Sequence, residues 1–261
     1  MKLSRISLLG ESMWPPLQLP PSKLMATIVC MKWGAKYGPE YVRRLRAMVR
    51  RQLSRPHHFI CYTDDGAGLA RDGIEVRALP NVVFPPGPER GWLKLGIFSP
   101  EADLSGPTLF LDLDLVLVKP IDPFFEYPGR FCIIRDWLRG DRGVGNSSVF
   151  RFEGGQNEQI LRRFESDPSA VMRQVRNEQE YLSQAAAPVS FWPDTWCRSF
   201  KRHCLHPFPS CYWRTPSQPA EVKIVVFHGF PKPEEAVRGA TSHFGLRHAK
   251  PTPWIADHWR E

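Results

Sequence analysis

Short, wholly apolar runs alternate with helically patterned segments along the first two-thirds of the chain. "MATIVCM" (25–31) contains almost no polar position, the pattern of a strand buried on both faces of a parallel sheet. The loop "KWGAKYG" follows, then a helix from Pro39 in which Tyr41, Leu45, Met48 and Val49 share one stripe while Arg43, Arg44, Arg46, Arg50 and Arg51 fall mostly outside it. "HHFICYT" (57–63), ending at the turn sequence "DDGAG", and "IEVRAL" (74–79) read as second and third strands. After the Pro-rich loop "LPNVVFPPGPERG", "GWLKLGIF" (91–98) reads as a short helix leading into the strand "PTLFLDLD". Further strands are expected at 131–134, 147–152 and 223–228, and helices near 155–165 and 169–186. The alternation predicts an α/β domain whose mixed, mostly parallel sheet is flanked by helices. From about 188 onward prolines and tryptophans dominate without a repeat or a second core, so residues 24–261 are expected to form a single domain with a Trp/Pro-rich C-terminal wrap.

Composition narrows the classes. With 261 residues, 42% of them hydrophobic, the chain can bury one substantial core. Its longest apolar runs fall far short of the roughly 20 residues a membrane-spanning helix needs. Residues 1–23 begin basic and briefly apolar, but Glu11 and prolines 15, 16, 20 and 21 interrupt them without a small-residue cleavage site. They read as a flexible extension. Six cysteines without a C-x-x-C pair, three of them in strand-like runs, predict reduced thiols and a cytoplasmic setting. Cys197, His203, Cys204, His206 and Cys211 lie close in sequence and leave a structural zinc site open, although their spacing fits no standard ligand pattern.

A net charge of +8 implies acidic company: nucleic acid, anionic lipid or a phosphorylated ligand. No basic and aromatic interleaving stands on a recognisable nucleic-acid platform, so that partner is not expected. The arginines of the first helix read as a solvated face in preference to a polyanion surface. Trp254 and Trp259 in the basic tail "RHAKPTPWIADHWRE" suit packing on the domain or, alternatively, peripheral contact with an anionic membrane.

The chemistry concentrates in "FLDLDLVLVKP" (110–120), where Asp112 and Asp114 sit inside an apolar run. Two residues apart in a strand, they would project from one face as neighbouring carboxylates. Burying such charges uncompensated costs several kcal/mol, so something positive should stand between or in front of them. A divalent cation meets that need, since hard oxygen donors suit magnesium, manganese or calcium. The competing reading ends the strand at Asp112 and leaves both side chains to water or a turn. "KIVVFHGFPKP" supplies His228 at the mouth of a buried strand, which could complete a metal site, and Lys232, a fixed charge suited to phosphate.

Taken in order, D-x-D at the end of a buried strand, N-S-S-V beyond it and H-G-x-x-K-P near the C-terminus resemble the GT-A fold nucleotide-diphosphosugar glycosyltransferases. The likeness is to the glycogenin and bacterial lipopolysaccharide galactosyltransferase group, and it covers roughly residues 25–235. It implies a Rossmann-like GT-A domain, a nucleoside-diphosphate sugar donor, a UDP-sugar above others, and a saccharide or glycolipid acceptor. It further implies a manganese or magnesium ion on Asp112, Asp114 and His228, diphosphate contact by Lys232, and Asn146 and Ser147 lining the sugar pocket. Ser148 stands where glycine is usual. "NEQEYL" is similar to the family's D-Q-D-x-L helix start, which places Glu178, Gln179 and Glu180 beside the reacting sugar, with glutamate in place of aspartate at both acidic positions. Retention of anomeric configuration is implied by the same resemblance.

Open α/β sheets bind ligands in loops at the carboxyl ends of their strands, which nominates Asp64, Lys36, Tyr37, Trp92 and Lys94 for the donor. Two other readings stand beside transfer. "FLDLDLVLV" also fits the nucleophile motif of haloacid-dehalogenase phosphatases, though no downstream acidic pair accompanies it. A domain that binds a nucleotide sugar without turning it over would keep the fold and lose the chemistry.

Overall fold

The structure is a computed structural model, and it describes residues 25–70, 73–87, 91–242 and 244–261. The extension expected over 1–23 lies outside them.

The first half builds one side of a sheet. β1 (Ala26–Lys32) is followed by α1 (Pro39–Gln52), β2 (His57–Thr63) and β3 (Glu75–Ala78), then by a 3-10 helix over Trp92–Phe98 where the sequence pattern predicts a short helix. β4 (Gly106–Leu111), β5 (Leu115–Leu117), α2 (Pro123–Glu126), β6 (Cys132–Arg135) and β7 (Gly145–Gly154) come next. α3 (Glu158–Ser166), α4 (Pro168–Gln174), α5 (Glu178–Ala185) and β8 (Ser190–Phe191) complete the seven-stranded sheet, ordered β3-β2-β1-β4-β7-β6-β8. Strands β3, β2, β1 and β4 run parallel, β7 runs antiparallel to both β4 and β6, and β8 runs parallel to β6.

Burial on both faces is visible residue by residue. In β1, Ile28 and Cys30 enter the cluster beneath α1, whereas Val29 and Met31 enter the cluster beneath α3, α5 and the 3-10 helix. β4 divides in the same way, with Leu109 and Leu111 on one side and Phe110 on the other. α1 seats Tyr41, Val42, Leu45, Met48 and Val49, the expected stripe with one addition.

Two elements depart from the sequence pattern at functional positions. The apolar run 107–118 is two strands in two sheets, because β4 ends at Leu111 and β5 leaves to join β9 (Cys197–Ser199) and β10 (Ile224–Val226) in the order β5-β10-β9. Asp112 and Asp114 occupy the corner between them, where ionised groups can reach a cavity that the middle of a buried sheet would deny them. The helix expected over 169–186 breaks into α4 and α5, and Asn177 caps the second by accepting from Glu180 N at 3.3 Å.

The C-terminal wrap continues from β10 through α6 (Pro233–Arg238), the hairpin β11 (Ala240–Thr241) and β12 (His248–Ala249), and α7 (Pro253–His258). It closes on α1. Arg51 donates to the carbonyls of His258 at 2.6 Å and Arg260 at 3.0 Å, Arg43 pairs with Glu261 at 2.9 Å, and Arg44 lies 4.0 Å over the Trp259 ring. Several arginines of the face expected to be solvated therefore hold the chain terminus, with cations at the carbonyl end of α7. Trp259 is buried edge-on to Tyr41, and Trp254 Nε1 donates to Pro216 O at 2.9 Å. Both tryptophans offered for membrane contact pack on their own domain instead.

The zinc alternative fails on geometry. All six cysteines are free and buried, His203 Nδ1 bonds the Ser199 backbone, and His206 Nε2 bonds Thr215 O. Among the described residues no three His, Cys, Asp or Glu side chains are grouped to hold an ion. Burial also pushes the Cys197 and Cys204 thiols up, away from the thiolate a zinc ligand must be.

Candidate active site

A cavity of about 450 Å³ opens where β1, β4, β7 and β10 end, and residues from 31 to 232 line it. Of the residues nominated from sequence, Lys36, Tyr37, Lys94, Asp112, Asp114 and Asn146 reach it. So do Ser147, Glu178, Gln179, His228 and Lys232.

Lysines meet the two aspartates. Lys94, carried by the 3-10 helix, places Nζ 2.7 Å from Asp112 Oδ1 and 3.4 Å from Ser147 O. Lys232, at the start of α6, places Nζ 2.6 Å from Asp114 Oδ2 and 2.6 Å from the Tyr37 hydroxyl, which itself donates to Asp114 Oδ2 at 2.6 Å. The Asp112 backbone is fixed by donation from its N to Ser148 O at 2.9 Å, and Phe227 N donates to Asp114 O at 3.0 Å, so both neighbouring strands hold the corner.

The electrostatics follow from burial. Desolvation lifts the Asp112 carboxyl above its ordinary range, more than the Lys94 ammonium lowers it, and the Asp114 charge adds to the rise. Lys94 is raised in turn, because the attraction of Asp112 and Glu178 outweighs its own desolvation. Burial first, then Asp114, pushes the Tyr37 hydroxyl far up, which keeps it a proton donor.

The expected metal clamp is not formed by this arrangement. Asp112 and Asp114 are each closed by an ammonium, while His228 Nε2 bonds Ser199 Oγ at 2.7 Å and its ring stacks on Trp137 at 5.2 Å. Burial, with Lys201 and Arg202 nearby, pushes His228 down to about 4, so the imidazole is neutral near pH 7. Three donors of suitable chemistry line one cavity but, among the described residues, are not grouped to hold an ion, and each carboxylate already has one oxygen on an ammonium.

Beside these pairs the lining continues as a chain of amides. Asn146 Nδ2 donates to Gln179 Oε1 at 3.4 Å, Gln179 Nε2 donates to Asp136 Oδ2 at 3.4 Å, and Asn146 Oδ1 accepts from Ser148 N at 3.1 Å. Ser148 lines the cavity itself. Glu178 is buried at the first turn of α5 and faces Gly91. Gly91 has φ 85°, a backbone conformation that favours glycine, and a Cβ there would lie 2.9 Å from Glu178 Oε2, so the carboxylate would have to shift.

Three nominated residues do not line the cavity. Trp92 is buried and stacks on Phe164 at 4.9 Å, because the 3-10 helix turns Lys94 toward the site and Trp92 into the core. Glu180 pairs with Arg139 at 3.0 Å and accepts from Arg176 N, on a different side of the turn from Glu178. Asp64 accepts from Gly34 N at 2.8 Å and braces the loop that carries Lys36 and Tyr37.

Sequence reasoning missed Trp33, which lines the cavity, and a supporting layer of Asp136, Trp137, Ser199 and Lys201. Lys201 Nζ donates to His228 O at 2.7 Å. "RDWLRG", a charged and aromatic loop directly after a buried strand, was a readable signal for the first pair. Lys201 sits on a π-helical turn over Phe200–Cys204 that no periodicity announces.

No protein-family model and no curated protein matches the chain. Solved structures do. The galactosyltransferase LgtC in complex with donor and acceptor sugar analogs matches with a TM-score of 0.52 at 13% identity, over 79% of this chain and 88% of that one. The glycosyltransferase GlyE of Streptococcus pneumoniae matches at 0.55 and 16% identity, over 80% of this chain and 56% of its own. The bifunctional enzyme WbbM in its apo form matches at 0.52 and 10% identity, over 80% of this chain and 46% of its own. The fold is the GT-A glycosyltransferase fold. The chain spans about half the length of GlyE and WbbM and most of LgtC. These matches do not favour the phosphatase alternative, and the sheet of the GT-A fold places the described cavity at the strand ends where such sheets bind ligands.

Proposed function

We propose that the protein transfers a glycosyl group from a nucleoside-diphosphate sugar, with uridine as the expected base, to the hydroxyl of a saccharide or glycolipid acceptor. The observation that carries this reading is the cavity that Lys36, Lys94 and Lys232 line together with Asp112, Asp114, Glu178, Asn146 and Gln179. Cations suit the diphosphate; carboxylates and amides suit sugar hydroxyls.

In the transfer, the bond between the anomeric carbon and the β-phosphate oxygen breaks while a bond from that carbon to the acceptor oxygen forms. The electron pair of the first bond leaves on the diphosphate, and the acceptor's proton departs with it or to water. Lys94 and Lys232 stabilise the charge that develops on the leaving group, in a site where low solvent access strengthens each contact. Glu178, Asn146 and Gln179 hold the sugar so that the acceptor hydroxyl meets the anomeric carbon. Retention of configuration, implied by the resemblance, would have the acceptor enter on the face the diphosphate leaves.

The test is donor screening followed by turnover. Thermal shift against UDP- and GDP-sugars is expected to select UDP-sugars, and released UDP is expected to report transfer or slow hydrolysis. Lys232→Met and Glu178→Gln are each expected to lower turnover at least about a hundredfold, the range of a lost charge-stabilising contact. A wild-type protein that binds UDP-sugars but releases no UDP with any acceptor would make it a binding domain. One that binds none would remove the reading altogether.

A further inference from the structure

Five of the nine exposed large hydrophobic side chains among the described residues gather on two neighbouring loops outside the cavity. Phe208, Tyr212 and Trp213 are 58%, 40% and 62% exposed; Phe244 and Leu246, between β11 and β12, are 87% and 62% exposed. The loops are tied together. Tyr212 donates to Gly245 O at 2.8 Å and stacks on His248 at 4.6 Å, and Lys250 Nζ donates to Trp213 O at 3.4 Å. Rings of this size at this exposure present apolar area on the order of 500 Å², at the top of what a monomer leaves uncovered.

The segments that carry these side chains hold charge of one sign. Residues 195–220 and 236–256 contain seven lysines and arginines and not one aspartate or glutamate. Arg202, Arg214 and Arg247 are exposed, the last two directly after Trp213 and Leu246 in the chain, and none is ion-paired with a carboxylate among the described residues. Apolar side chains at a turn, with Tyr, Trp and exposed cations on the same segments, form the arrangement that seats a protein in a headgroup layer. A protein partner with such a patch would need a matching acidic rim; an anionic leaflet supplies that charge uniformly.

We propose that this face, formed by the 206–214 loop and the turn that carries Phe244 and Leu246, docks on an anionic membrane surface with those two side chains inserted. It differs from the tail tryptophans, which pack on the domain. It is linked to the cavity through Lys201, whose Nζ holds the His228 carbonyl at 2.7 Å and which is lowered by burial first and then by the charge of Arg247. If the transfer reading holds, the cavity mouth would stand beside the headgroups, where the hydroxyl of a lipid-borne acceptor is presented.

The experiment is co-sedimentation of the full chain with phosphatidylcholine vesicles, with and without about one-third phosphatidylglycerol. Binding is expected only to the anionic vesicles and to weaken in high salt. Phe244→Ser/Leu246→Ser and Arg202→Glu/Arg247→Glu are each expected to reduce partitioning about tenfold or more. Brominated acyl chains are expected to quench tryptophan emission in the wild type and much less in Trp213→Phe. UDP release with a water-soluble acceptor is expected to be unchanged in Phe244→Ser/Leu246→Ser, which separates this proposal from the assignment of activity. Equal partitioning of wild type and Phe244→Ser/Leu246→Ser, or no binding of wild type to anionic vesicles, overturns it.

Discussion

Replacing Lys94 by Met removes the ammonium that lies 2.7 Å from Asp112 while keeping most of the side-chain volume. The Asp112 side chain is 22% exposed, so the stranded carboxylate is mostly desolvated. Removing one partner of a buried pair costs about 3–5 kcal/mol, and partial exposure sets the expectation near the lower end, about 3 kcal/mol. For a domain of this size that corresponds to a fall in Tm of roughly 6–12 °C. The loss should depend on pH in a defined direction. Asp112 is already raised in the fold by burial, and a raised carboxyl favours the folded state below its unfolded value and disfavours it as pH rises through the folded value. Without Lys94 the carboxyl rises further, so the penalty is expected to be larger at about pH 8 than at about pH 5, the direction in which Asp112 takes up a proton. Urea denaturation of wild type and Lys94→Met in the presence of chelator, at both pH values, measures it. Asp112→Asn in the Lys94→Met background should recover some of the loss, the remainder belonging to Glu178, whose charge also bears on Lys94. Equal destabilisation at the two pH values, or none at the higher, would refute the claim that Lys94 exists to neutralise Asp112.

The two lysine–aspartate pairs also predict how the protein meets a divalent ion. Manganese added alone is expected to give no binding isotherm and no rise in Tm, whereas Lys94→Met/Lys232→Met, with both carboxylates released, is expected to gain affinity; tight binding by the wild type would show that the pairs yield readily. His228, held down to about 4, should keep a neutral imidazole from about pH 8 to about 5.5 in an NMR titration, its signal identified by its loss in His228→Asn. Because its folded value is depressed, its contribution to stability is present above about 6.5 and is lost as pH falls toward about 4, a slope His228→Asn should lack. Trp259→Ala empties a site packed between Tyr41 and Arg44, and is expected to cost about 2–4 kcal/mol by chemical denaturation; a change within about 0.5 kcal/mol would mean the C-terminal segment does not stabilise the domain.

Periodicity and burial alone made much of this molecule legible. An apolar run such as "MATIVCM" has one low-energy placement, sandwiched in a sheet, and the stripe of Tyr41, Leu45, Met48 and Val49 fixes which side of α1 faces it. The demand for positive charge beside Asp112 and Asp114 followed equally from the cost of burying carboxylates. The identity of that charge did not, since Lys94 lies 18 positions and Lys232 118 positions away in sequence, and only the chain path brings them there. Side-chain direction within a 3-10 turn sent Lys94 to the cavity and Trp92 to the core. The break between α4 and α5 aimed Glu178 and Gln179 inward and Glu180 toward Arg139. Local patterns set which surfaces must be hidden; which distant groups then share one enclosed space is a matter of topology, and topology here decided the ion pairs, the neutral histidine and the exposed aromatic loops.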